Sequence, residues 1–140
     1  MPPSVELLSS SRILVVDDNQ ANLALAAVVL EITGCTVLTA ETAEQAQAML
    51  RTEVPDLILM DIALPGMDGL TLTRLLKADP HLRHVPVIAL TAFAMEGDEV
   101  KAMAAGCDGY ITKPIDTRAL PGQIEQVLQR SAGRREAAGD

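Results

Sequence analysis

The sequence predicts an α/β domain on an open five-stranded parallel sheet with helices on both faces. Three observations predict it. Short apolar runs alternate with helix-like segments five times over. The central run, Leu57-Ile58-Leu59-Met60, is wholly apolar, as suits a strand covered on both faces. That run and the first end in carboxylates, Asp61 and Asp17-Asp18, and open α/β sheets place their ligands at such carboxyl ends. The crossovers between parallel strands should be right-handed.

Each element has its own signal. Residues 1–11 read as a polar arm with a small apolar patch at Val5, Leu7 and Leu8. Arg12 to Val16 is the first strand. Asn19 to Thr33 is helical and stops at Gly34. Thr36 to Thr39 is the second strand, and Thr42-Ala43-Glu44-Gln45 is a capping box opening a helix to about Glu53. Pro55-Asp56 turns into the central strand. A third helix spans about Gly69 to Ala78 and ends before Pro80. Val87 to Leu90 is the fourth strand, ending at Thr91. The fourth helix, about Gly97 to Ala105, stops at Gly106. Gly109 to Thr112 is the fifth strand and leads into Lys113-Pro114. Asp116 can cap a last helix to about Arg130, although Pro121-Gly122 favours a start near Leu120. Residues 131–140 are Ala, Gly and charge and read as a frayed tail. One domain over residues 12–130 follows, of the size 140 residues allow.

Composition excludes several function classes. A net charge of −8 argues against nucleic-acid binding, which leans on clustered Lys and Arg. No apolar run approaches the roughly 18 residues of a membrane span, and Met1-Pro2-Pro3-Ser4 lacks the basic start of a signal peptide. A cytoplasmic protein is expected. Cys35 and Cys107 fit no metal spacing and read as small buried thiols.

The flavodoxin-like strand order 2-1-3-4-5 would gather the ends of strands 1, 3, 4 and 5 at one switch point. Those ends are Asp17-Asp18, Asp61, Thr91 and Lys113. Carboxylates that close raise one another's pKa, and a hard divalent cation resolves the conflict. Thr91 adds a hydroxyl and Lys113 a mobile cation. Neither is needed to hold a bare metal, whereas both suit a phosphoryl group. With Asp61 in line, an aspartyl phosphate is the chemistry that uses them all. The plainer readings are that Asp17-Asp18, Asp61 and Thr91 cap the helices that follow them, and that Lys113 is a solvated surface lysine.

Four segments together resemble the receiver domain of two-component response regulators. They are Ile13-Leu14-Val15-Val16-Asp17-Asp18-Asn19, Leu59-Met60-Asp61 through Pro65-Gly66-Met67-Asp68-Gly69, Val87-Ile88-Ala89-Leu90-Thr91-Ala92, and Ala105-Gly106-Cys107-Asp108-Gly109-Tyr110-Ile111-Thr112-Lys113-Pro114. Thr91 to Asp98 and Ile111 to Ile115 look like stand-alone regulators of the DivK type, and equally like receivers of hybrid kinases. The resemblance implies Asp61 as phosphoacceptor. It implies Asp18 as a direct Mg²⁺ ligand, Asp17 as one acting through water, and the main-chain carbonyl of Ala63 completing the metal site. Thr91 and neighbouring Ala92 would meet the phosphoryl group, Tyr110 would be the switch aromatic and Lys113 the phosphate-pairing lysine. The Lys113-Pro114 peptide would be cis. Implied partners are a histidine kinase or histidine phosphotransfer protein and a downstream protein target, with the chain a monomer or weak dimer. It would be a phosphoacceptor and not an enzyme in the ordinary sense.

Three further expectations concern surfaces and lifetime. On the first helix, Leu25, Val28, Val29 and Ile32 form a stripe assigned to the core. Leu23, Ala27 and Leu30 lie opposite and are assigned to donor docking. Ala63 and Phe93, two residues beyond Asp61 and Thr91, cannot hold an attacking water, which implies slow self-dephosphorylation. His81 and His84 lie at the wrong end of the sheet to act on Asp61.

Three alternatives stand beside a stand-alone regulator. The first is a receiver excised from a hybrid kinase. The second is a Mg²⁺-dependent aspartyl-phosphate phosphatase, for which Ala63 replaces the second carboxylate such enzymes want. The third is a flavodoxin-like cofactor carrier, which the near-absence of aromatic residues disfavours.

Overall fold

The computed structural model describes residues 10–64, 66–91 and 96–139. The expected polar arm, apart from Ser10 and Ser11, lies outside them, as do Ala92 and Phe93. Among the described residues five strands alternate with five helices: β1 (Arg12–Val16), α1 (Gln20–Ile32), β2 (Thr36–Ala40), α2 (Ala43–Leu50), β3 (Leu57–Asp61), α3 (Gly69–Ala78), β4 (Val87–Thr91), α4 (Glu96–Ala105), β5 (Gly109–Thr112) and α5 (Leu120–Gly139). All pairings are parallel and the order is β2-β1-β3-β4-β5. This is the flavodoxin-like arrangement expected from the sequence.

Alternation along the strands builds two cores. Ile13, Val15, Leu57, Leu59, Ile88 and Leu90 face α1 and α5. Leu14, Val16, Ile58, Met60, Val87 and Ala89 face α2, α3 and α4. β3 is buried along its whole length because it sits between β1 and β4 with both faces covered. The register pairs Val16 with Met60 and Leu90 with Asp61, so β1, β3 and β4 end close together, each one residue further along than the last.

Caps fix where the helices begin. Asn19 accepts from Asn22 N at 3.0 Å, Thr42 from Gln45 N at 3.0 Å and Asp68 from Thr71 N at 2.8 Å. Gln45 Oε1 reaches back to Glu41 N at 2.7 Å, close to the capping box read from sequence. α5 begins at Leu120, after a turn in which Asp116 accepts from Arg118 N and Ala119 N. Pro121 then falls in the first turn, where its missing N–H costs nothing.

Two expectations are corrected. The helix does not fray at Arg130: α5 runs to Gly139. Its last turns are rich in Ala, Arg and Glu, all good helix formers. The faces of α1 are also inverted. Leu23 and Leu30 are core residues with Ala26, whereas Leu25, Val28 and Ile32 are 40%, 54% and 79% exposed; of the stripe assigned to the core, Val29 alone packs against it. Apolar residues surround this helix, so periodicity alone leaves its phase open. The start of the helix sets that phase: Asn22 turns toward Asp17 at 3.3 Å, which swings Leu23 and Ala26 inward.

A clamp holds the opposite, amino edge of the sheet. Lys77 Nζ donates to Val85 O at 2.9 Å, to Arg83 O at 3.3 Å and to Asp108 Oδ2 at 3.0 Å. The same carboxylate oxygen accepts from Val87 N at 2.9 Å. Asp108→Ala strips two donors of their acceptor and is expected to cost about 2 kcal/mol. Urea denaturation checks this, and a loss near zero would contradict it. Both cysteines are buried as expected, and burial pushes both thiols up. His81 and His84 are exposed in the connection from α3 to β4, at the edge away from Asp61. No helix among the described residues is long and apolar enough to cross a membrane.

Candidate functional site

The carboxyl ends of β1, β3, β4 and β5 converge as the strand order requires. Asp61 closes β3 and is 2% exposed, while Asp17, just past β1, has no exposed surface. Asp18 points out to solvent. Each strand-ending aspartate folds onto its own exit turn: Asp17 Oδ1 accepts from Asn19 N and Asp61 Oδ1 from Ala63 N, both at 2.9 Å.

None of these side chains caps a helix. The caps of α1 and α3 are Asn19 and Asp68, and α4 starts at Glu96, five positions after Thr91. Nor is Lys113 a solvated surface lysine. Its ammonium lies 2.9 Å from Asp61 Oδ2 and 3.1 Å from Asp17 Oδ2, bridging the two buried carboxylates. Burial alone would pull its pKa down, but the hydrogen bonds and charges of Asp61 and Asp17 outweigh it and hold the pKa above that of an ordinary lysine.

One oxygen from each of Asp17, Asp18 and Asp61 lies within 4.8 Å of the others. Three hard oxygen donors, with exposed Asp18 and Ala63 at the rim, suit a small divalent cation that keeps some of its water.

Thr91 is buried at the end of β4, and its carbonyl accepts from Lys113 N at 2.6 Å. β5 is thereby joined to β4 just where the lysine leaves the sheet. The Lys113-Pro114 peptide is cis, as expected. Tyr110 is half-buried on the face of the sheet that also carries Met60 and Ala89. Leu23 and Leu30, assigned to docking from sequence, are not at any surface, and Ala27 is only partly exposed.

Two residues with a bearing on the site escape a sequence reading. Asn22 Nδ2 donates to Asp17 Oδ2 at 3.3 Å. An amide in the first turn of a mostly apolar helix was the available signal. Gly69 opens α3 against the backbone of Asp61, where a Cβ would stand 2.2 Å from the Asp61 carbonyl oxygen. That contact lies between segments eight residues apart and has no sequence signature beyond the glycine itself.

Residues 13–125 match the model of the response regulator receiver domain. The chain is 44% identical over 118 residues to the polar-differentiation response regulator DivK of Brucella ovis, covering 84% of this chain and 94% of that one. It resembles the receiver domain of a signal transduction histidine kinase from Syntrophus aciditrophicus, with a TM-score of 0.79 and 34% identity over 86% of this chain and 91% of that one. A CheY-like receiver domain protein of Methanospirillum hungatei matches with a TM-score of 0.79 and 35% identity, over 88% of this chain and 97% of that one.

Proposed function

The chain belongs to the response regulator receiver domain family, and from that premise we propose that it is a cytoplasmic signalling regulator that takes a phosphoryl group from a phosphohistidine donor onto Asp61. The observation that carries this reading is the placement of Asp61: a buried strand-end carboxylate that shares one lysine with a second buried carboxylate.

The step balances simply. A carboxylate oxygen of Asp61 attacks phosphorus and forms a P–O bond. The P–N bond of the donor breaks, and its electron pair stays on the imidazole nitrogen, which takes up a proton. Asp17, Asp18, Asp61 and the main-chain carbonyl of Ala63 would hold Mg²⁺, which when bound supplies neutralising charge for the phosphoryl oxygens. Lys113 turns its ammonium from the carboxylates to one phosphoryl oxygen. Thr91 offers its hydroxyl to another. Tyr110, half-buried beside β4, then turns inward, and the face of α4, β5 and α5 changes for a downstream protein. Similarity over nearly the full length of a DivK regulator supports a stand-alone role over one inside a hybrid kinase.

Intact mass after incubation with Mg²⁺ and acetyl phosphate tests the acceptor. A single phosphoryl addition is expected, absent in Asp61→Asn and absent without Mg²⁺. Addition that persists in Asp61→Asn would overturn the assignment.

Donor docking belongs to the exposed stripe Leu25, Val28 and Ile32, spaced for one side of α1. Apolar side chains this exposed on a helix beside the acceptor are what a donor helix can cover. Leu25→Glu is expected to slow transfer from the cognate donor about tenfold or more. Its rate with acetyl phosphate should stay unchanged. Equal transfer from the protein donor would contradict the docking assignment.

A further inference from the structure

Asp17 is held on both of its oxygens. Asn19 N donates to Oδ1 at 2.9 Å, while Asn22 Nδ2 at 3.3 Å and Lys113 Nζ at 3.1 Å both reach Oδ2. The lysine also lies 2.9 Å from Asp61 Oδ2. A divalent cation among Asp17, Asp18 and Asp61 would displace that ammonium, because like charges this close repel. Asn22 is neutral and can stay. Asp17 then keeps one of these protein donors on each oxygen, Asn19 N and Asn22 Nδ2. A carboxylate held at one oxygen can turn about its Cβ–Cγ bond. A second donor on the other oxygen fixes its plane.

We propose that Asn22 is a positioning residue that favours Mg²⁺ over Ca²⁺ at this cluster, by fixing the plane of the Asp17 carboxylate. This rests on the reading of Asp17, Asp18 and Asp61 as a cation site. The charge of Asp17 is balanced throughout, by Lys113 before a cation binds and by the cation afterwards, so what the amide adds is direction. Direction matters unequally to the two ions: Mg²⁺ demands near-ideal octahedral geometry, whereas Ca²⁺ accepts flexible arrangements. The constraint is the same whether Asp17 meets the ion or one of its waters. Asn22 N donates to the cap Asn19 Oδ1 at 3.0 Å, so the backbone that carries the amide is itself anchored. Asp17 has no exposed surface, and bulk water does not stand in for a missing donor.

Asn22→Ala removes the amide, and Asn22→Leu, close to asparagine in shape, serves as the second variant should alanine loosen α1. Three quantities are read on the full chain: melting temperature in chelator, and the affinities for Mg²⁺ and for Ca²⁺ by calorimetry. The melting temperature is expected to stay near native, because Lys113 and Asn19 still hold Asp17. Mg²⁺ affinity is expected to fall about tenfold, the scale for losing a group that orients a metal ligand. Ca²⁺ affinity is expected to stay near native, so the preference for Mg²⁺ narrows. Native Mg²⁺ affinity in both variants would overturn the proposal, and so would equal losses for the two cations. Failure of the cation site itself looks different: the native protein would then bind neither ion.

Discussion

Gly69→Ala is expected to slow phosphorylation of Asp61 by about a hundredfold, the scale of a 1 Å misplacement of reacting groups. The added Cβ would stand 2.2 Å from the Asp61 carbonyl oxygen and 2.9 Å from both the Asp61 carbonyl carbon and Ile62 Cα. All three are backbone atoms at the end of a fully buried strand, so no rotamer relieves the clash. α3 must retreat from β3, and the turn from Asp61 to Ala63 moves with it. That turn carries the acceptor and the carbonyl assigned to the metal. Gly69 N also reaches Ile62 O at 3.4 Å, and Thr73 Oγ1 holds Gly69 O at 2.8 Å, so the displacement spreads along both elements. The stability cost is expected at about 1–3 kcal/mol, as for overpacking elsewhere. Asp108→Ala is the control. It weakens the far edge of the sheet by a similar amount and should leave the phosphorylation rate near native. If both variants lose rate in proportion to stability, the local account fails.

Lys113→Met carries the second large effect. It leaves Asp17 and Asp61 facing each other in the interior with their shared cation gone. Removing one partner of a buried pair costs about 3–5 kcal/mol, and the low end applies because Lys113 is 18% exposed. The variant should be markedly less stable in chelator. Mg²⁺ should then stabilise it more than it stabilises the native protein, since the cation no longer displaces a resident ammonium. Urea denaturation with and without Mg²⁺ checks both points. Equal Mg²⁺ stabilisation of the two proteins would mean that Lys113 and the metal do not compete for these carboxylates.

The fold was legible because strand signals here are strong and local. Leu57 to Met60 has no polar residue to blur its reading, and Gly34, Pro80 and Gly106 punctuate the helices. The convergence of Asp17, Asp61, Thr91 and Lys113 was legible for the same reason: each ends a strand, and the strand order brings the ends together. The phase of α1 was not. Leu23, Leu25, Val28 and Leu30 offer equal hydrophobicity on several sides, and the choice falls to one polar contact, Asn22 to Asp17, that couples the helix to the strand before it. The extension of α5 past Arg130 was not legible because Ala, Gly and charge at a chain end read as a frayed tail, where Arg134, Glu136 and the alanines favour helix. Gly69 was legible as the start of the third helix, but its reason for being glycine is a backbone contact that no local pattern encodes.

The most direct test of the account is to locate the acyl phosphate chemically. The protein is incubated with Mg²⁺ and acetyl phosphate, reduced with borohydride and mapped by peptide mass spectrometry. Reduction turns an aspartyl phosphate into homoserine and leaves ordinary aspartate untouched. Homoserine at position 61 alone is the predicted result. Homoserine at Asp17, Asp18 or any other aspartate, with position 61 intact, would contradict it.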